Sequence, residues 1–265
     1  MRRSVIALLA VPVLLLGACG TQPQGGNSDP AQVDSVEQPE VGACRALTPD
    51  DVSRPANATL TVDCAEKHTA ETFAVGDLPA KFTNAEYDAQ DLSAWAYQTC
   101  SDAFAEHLGA DESTVLRTIL SWAWFRPSEK AWAKGARWYR CDVVGGSATS
   151  TAYAPLPEST HGLLAGRPND RWMVCARGRS VPEGEKVPCS RQHDWRAVTT
   201  IKLGEEDDPY PGDTVVDSRT RAYCQKSISA WLNYPATFDF TYTYFHRAEW
   251  EAGNRRSVCW AQTDA

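Results

Sequence analysis

Two histidines follow cysteines by four residues: His68 after Cys64 in VDCAEKH, and His193 after Cys189 in VPCSRQH. Thiolate and imidazole are zinc ligands, so each pair could be half of a metal site. Zinc would need four such ligands, no Cys-x-x-Cys accompanies either pair, and cysteines of exported chains are normally oxidised. The cysteines are therefore read as disulfide partners and the histidines as turn or sheet-surface groups bonded to backbone; no metal or cofactor is expected. Catalysis needs a nucleophile and base with an orienting partner, or paired carboxylates in a cleft. The chain holds only His68, His107, His161, His193 and His246, and it contains no Gly-x-Ser-x-Gly, His-Glu-x-x-His or glycine-rich phosphate loop. The acidic run Glu205, Glu206, Asp207, Asp208 precedes Pro209 and reads as a solvated loop, since its spacing is not that of an EF-hand. No catalytic residue is assigned.

Aromatic pairs are the other candidates. Trp122 and Trp124 in SWAWF match Tyr242 and Tyr244 in TYTYF by position, and in a strand residues two apart share a face. Such pairs either pack against a helix, where large rings fill volume, or form an exposed ladder that anchors a glycan or a partner protein. With His68, Glu71 and His193 they make up the candidate binding residues.

These groups need elements to hold them, and the elements come twice. WAKGARWYRC and WEAGNRRSVC share Trp, Gly, Arg and Cys at the same offsets, Trp132 to Cys141 and Trp250 to Cys259. Aligning them brings CSDAFAEHL into step with CQKSISAWL, and the two Cys-x-x-x-His segments with each other; Cys64 to Cys100 is 36 residues and Cys189 to Cys224 is 35. A tandem duplication is inferred. One helix is expected per half: the first capped at Thr83-Asn84-Ala85-Glu86, carrying Leu92, Cys100 and Leu108 inward and stopping at Gly109; the second opening at PGDTVVD and ending before Pro235. Strand-like runs flank each helix in the order β, β, α, β, β, with GLLAG a further strand of the first half. The fold class is α+β: two tandem disulfide-stapled repeats, each a small antiparallel sheet packed on one helix.

Apart from Cys19, each half holds four cysteines: Cys44, Cys64, Cys100, Cys141, then Cys175, Cys189, Cys224, Cys259. Four allow three pairings. Cys100 and Cys224 point inward from helices onto which the strands ending near Cys141 and Cys259 must pack. Cys100 with Cys141 and Cys224 with Cys259 are therefore favoured, leaving Cys44 with Cys64 and Cys175 with Cys189.

The first residues, MRRSVIALLAVPVLLLGACG, give a basic start, an apolar run too short to span a bilayer, and small residues before Cys19. Leu16-Gly17-Ala18-Cys19 resembles a bacterial lipobox. The resemblance implies a signal peptide over 1–18 cleaved before Cys19, with acyl chains such as palmitate on the lipidated cysteine; an ordinary secretory peptide is the alternative. Residues 19–40, polar and rich in Pro, Gly and Gln, read as a flexible tether. Without Arg2 and Arg3, 24 basic residues face 34 acidic ones, a net of −10. A nucleic-acid partner is not expected, and attachment at the outer, extracytoplasmic face of the cell membrane would rest on the lipid.

The exported tether, Val-x-Cys-x-x-x-His, the helical cysteine and the closing Trp-x-x-Gly-x-Arg-x-x-x-Cys together resemble the septum-formation domain family of actinobacterial envelope proteins, in two copies over 41–166 and 167–265. The resemblance implies a loose link to septum formation and no established reaction. The family pattern continues from His to Glu three residues on; His68 is followed by Glu71, but His193 by Arg196. The leading expectation is a non-enzymatic, lipid-anchored binding or scaffold module with a cell-wall or envelope-protein partner. The alternative is an extracytoplasmic small-ligand-binding or sensory lipoprotein with a cleft between its repeats, and the third reading is an enzyme acting on wall polymer.

Overall fold

The computed structural model describes residues 35–147 and 149–263. Cys19, the signal segment and most of the tether lie outside them. The chain forms two five-stranded antiparallel sheets of one topology. The first contains β1 (Cys44–Arg45), β2 (Thr61–Val62), β3 (Ala70–Asp77), β4 (Ser121–Phe125) and β5 (Trp138–Val144), in the order β2-β1-β3-β5-β4. The second contains β6 (Val174–Arg177), β7 (Glu185–Pro188), β8 (Trp195–Lys202), β9 (Phe240–Thr243) and β10 (Arg256–Gln262), ordered β7-β6-β8-β10-β9. Helix α1 (Pro49–Val52) follows β1; α2 (Gln90–Leu108), α3 (Glu112–Val115) and α4 (Glu129–Ala133) follow β3; α5 (Asp213–Trp231) and α6 (Arg247–Glu251) belong to the second half.

Register confirms the duplication residue by residue. Thr72 pairs with Asp142 and Ala197 with Trp260; one position on, a bulge skips Phe73 in β3 and Val198 in β8. Bulges bend and twist a strand locally, and here both sheets bend at the same place. The long helices α2 and α5 pack on one face of each sheet, burying Leu92, Ala96, Cys100, Phe104 and Leu108 in the first and Val216, Thr220, Cys224 and Ile228 in the second. Disulfides join Cys100 to Cys141 and Cys224 to Cys259, fixing each helix to a strand inside its sheet, while Cys44–Cys64 and Cys175–Cys189 close the neighbouring hairpins.

Three expectations need correction. Each repeat has five strands where four were expected, the additional ones being β1 and β6, two and four residues long. Helix α2 starts at Gln90, and Thr83 instead ends a 3-10 turn over Ala80–Phe82; the segment between is held as turns, with Ala85 O accepting from Trp132 Nε1 at 3.2 Å. GLLAG is a turn, not a strand. Its Leu164 is buried in the first core beside Leu156 and Trp172, because the connection after β5 folds back over repeat one. Leu156 N bonds His68 O at 3.0 Å and Leu164 N bonds Leu108 O at 2.9 Å.

The two halves meet directly. Ile119 N donates to Trp172 O and Val174 N to Arg117 O, around a bridge between Thr118 and Met173. Arg117 Nη1 reaches Val198 O at 2.8 Å, and Arg256 Nε pairs with Glu112 Oε2 at 2.5 Å. Tyr97 lies against Gly253, where an added Cβ would come within 2.7 Å of its ring; burial, then the nearby Glu112 carboxylate, pushes its hydroxyl up to about 12. No described helix is long and apolar enough to cross a membrane.

Candidate functional site

The two Cys-x-x-x-His segments are one turn made twice. His68 Nδ1 donates to Glu66 O at 2.8 Å, and His193 Nδ1 to Arg191 O at 2.7 Å. Both rings are buried. Each histidine thus ties down the turn between a cysteine and the strand that follows, as a backbone-bonded imidazole does. Among the described residues no group of three or more His, Cys, Asp or Glu side chains is placed to hold a metal ion.

Glu71 sits three residues beyond His68 on β3 but works with other partners. Its Oε2 accepts from the backbone N and the Oγ1 of Thr160, both at 2.6 Å. Having given its single proton to Glu71, the Thr160 hydroxyl accepts from His107 Nε2 at 2.9 Å. His107 Nε2 stands 3.9 Å from Glu71 Oε1, and its ring meets His161 edge-on. Burial holds the His107 imidazole below its ordinary value, against the opposing pull of Glu71. A hydroxyl, an imidazole and a carboxylate in line are the parts of a nucleophilic triad, yet Thr160 is 0 % exposed and its hydroxyl is committed to the carboxylate. A nucleophile must be reachable and activated. The cluster instead fastens the connection onto repeat one.

The same positions in repeat two carry different groups. By register Arg196 replaces Glu71, since Cys44 faces Glu71 and Cys175 faces Arg196. Trp231 replaces His107, each seven residues beyond its helical cysteine. Arg196 pairs with Asp170 at 2.5 Å, holding that carboxyl below the usual range. Among the described residues, only the end of the connection, at Arg167, Pro168 and Asp170, borders this wall; α3 and Arg117 of repeat one touch β8 beside it, leaving a cleft of about 410 Å³ between the repeats.

The aromatic pairs face the helices and are half-buried. Trp122 meets Tyr97 edge-on at 5.5 Å, and Trp124 packs with the cores around Cys100 and Trp132. Tyr242 packs beside the Cys224–Cys259 bridge and donates to Asp217 at 2.8 Å; Tyr244 lies against Phe245 and Trp250. Packing, rather than an exposed ladder, is their role. Their alignment also shifts by two: Cys141 faces Trp124 and Cys259 faces Tyr242, so Trp124, not Trp122, corresponds to Tyr242. A shift of two keeps the face, which is why sequence alternation alone did not reveal it.

The repeated skeleton now has a full account. Gly135 and Gly253 take φ of 96° and 112°, a region that favours glycine. Arg137 and Arg255 lie 3.9 and 3.8 Å over the rings of Trp132 and Trp250, and each donates through Nη1 to its tryptophan's own carbonyl. The septum-formation family model matches residues 13–125 and again 117–259. The chain belongs to the septum-formation family. That is not a known enzyme family, and it ties the chain to a role in cell division. No curated protein and no solved structure matches the chain.

Within this septum-formation protein, sequence reading missed one buried polar face. On the side of the first sheet away from α2, Arg45 donates to Thr59 O and Thr72 Oγ1, and Thr72 donates on to Asp142. Arg140 pairs with Asp142 at 3.1 Å and reaches Asn57 Oδ1. Burial brings the Arg140 guanidinium down to about 10, with Asp142 opposing. Charges two apart on one strand face were the available signal. The segment before β2, with Asn57 and Thr59, covers them.

Proposed function

We propose that this protein is anchored by a lipid on Cys19 at the extracytoplasmic face of the cell membrane and serves septum formation as a binding or scaffold module, without catalysis. The supporting observation is how the reactive side chains are used. Eight cysteines are paired in four bridges, as suits an oxidising compartment. His68 and His193 hold turns, and Glu71 with His107 closes the connection. Nothing reactive is left facing solvent at these positions, so the protein acts through its surfaces. The open cleft between the repeats favours ligand binding within that role.

The lipid is tested by replacing Cys19 with Ala and fractionating cells. The variant is expected in the soluble extracytoplasmic fraction while the parent stays with membranes; equal membrane retention of both would refute the anchor.

A further inference from the structure

In an acidic chain, the cleft between the repeats is a local concentration of positive charge. Among the described residues that line it, Arg117, Arg167 and Arg196 face one carboxylate, that of Asp170. Each arginine is differently prepared. Arg117 is fixed by donating to Ser113 O and Val198 O, and burial weakens its hold on its proton; the nearby Asp111 carboxylate opposes this and Arg196 adds to it. Arg196 is oriented by Asp170. Arg167 is exposed, and no hydrogen bond or ion pair to another described residue occupies its guanidinium. At the rim stands Trp231, in the last turn of α5 and 49 % exposed, whereas the skeleton tryptophans Trp132 and Trp250 are buried. Indole presents a flat apolar face, and it is enriched where one side of a contact is dry and the other wet. Guanidinium forks match planar carboxylates and phosphates. The cleft's size is that of a small-ligand site.

We propose that this cleft binds an acidic sugar unit of a glycan, its ring stacked on Trp231 and its anionic group held by Arg167 with Arg117 and Arg196. Repeat one cannot do the same. Its equivalent wall is filled by the connection, with Glu71 on Thr160 where repeat two has Arg196. The duplication has therefore left one wall closed as structure and one open as a site. This deepens the binding reading above and rests on it, but not on the lipid anchor.

The full chain in detergent micelles is titrated with a tetrasaccharide containing hexuronic acid, with its carboxyl-reduced neutral form, and with inorganic phosphate. The acidic tetrasaccharide should bind, more weakly as salt rises, and reduction of its carboxyls should weaken it at least tenfold. Trp231→Ala and Arg167→Ala should each weaken it about tenfold with an unchanged thermal transition, since both side chains are exposed. Phosphate should bind much more weakly and be indifferent to Trp231→Ala. Equal binding of acidic and neutral sugars would overturn the charge assignment. Phosphate binding as tightly as the sugar, with Trp231→Ala silent, would show an anion site without sugar recognition and overturn the glycan. No saccharide binding at all would overturn the site, leaving the outcome of the Cys19 fractionation untouched.

Discussion

The face of each sheet turned away from its long helix is built in opposite ways in the two repeats. In the first it carries Arg45, Thr72, Arg140 and Asp142, with Arg140 and Asp142 at 1 % and 0 % exposure. In the second, register puts Ala176, Ala197, Val258 and Trp260 at those positions, and the face is an apolar cluster with Val174, Val181 and Trp195. Strand order, bulge and disulfides are the same. The fold therefore does not require the charges. What they do is hold the segment before β2, since Arg45 and Arg140 bond Thr59 O and Asn57 Oδ1. An apolar face needs no such partner and is closed by a short hairpin loop around Val181.

This contrast is most sharply tested by Arg140→Ala, which strands the Asp142 carboxylate in the interior. Removing one partner of a buried ion pair costs about 3–5 kcal/mol, and the chemical-denaturation midpoint of repeat one should fall accordingly. The equivalent truncation in repeat two, Val258→Ala, should cost only about 1–2 kcal/mol. An Arg140→Met, Asp142→Leu double variant should recover much of the loss, moving the first face toward the second. Should the double variant be less stable than Arg140→Ala, the charges hold more than the covering segment.

The bridges probe what the repeats share. Cys100–Cys141 closes 41 residues and Cys224–Cys259 closes 35. In the chain-entropy model both contribute about 4 kcal/mol, and the shorter Cys175–Cys189 loop of 14 residues about 3. Paired Cys→Ser variants should thus lower the two repeats almost equally. A large inequality would mean that one repeat leans on the junction for its stability.

How much of this was legible follows from the size of each signal. The staple was readable because a cysteine, a glycine and a tryptophan each have few alternatives, and their offsets recur from Trp132 to Cys141 and from Trp250 to Cys259. The cysteine pairing was readable because Cys100 and Cys224 fall on the inward stripe of periodic helices. By contrast, β1 spans two residues and makes its bonds only to neighbours far along the chain. The partners of Glu71 were hidden for the same reason: Thr160 lies 89 residues away, in a connection whose Pro, Gly and Ser content reads as a linker. The junction cleft needs Arg117 from one repeat and Arg196 from the other, and nothing in either local pattern joins them.

The mildest perturbation addresses that connection. Glu71→Gln keeps the shape but removes the charge that receives both Thr160 bonds, and charge-assisted bonds contribute about 1.5–3 kcal/mol against about 1 for neutral ones. The connection should loosen by roughly 1–2 kcal/mol, read as faster amide exchange at Leu156, Gly162 and Leu164, whose N–H groups bond repeat one. Acid adds a direction. The His107 pKa is depressed in the folded state by burial, so the unfolded state binds more protons as pH falls below the ordinary 6.5. The contribution of neutral His107 is complete above that value and is lost as pH descends through the window to the folded pKa. Glu71 is the group that partly offsets the depression, so Glu71→Gln should steepen the acid-induced loss of amide protection between about pH 7.5 and about pH 5.5, either side of the histidine value. Exchange in β8 and α5 should not change, because Arg196 and Trp231 stand there in place of Glu71 and His107. Equal acid sensitivity in both repeats would remove His107 as its source, and unchanged exchange at Leu156 and Leu164 would show that their apolar burial, not the carboxylate, keeps the first wall closed.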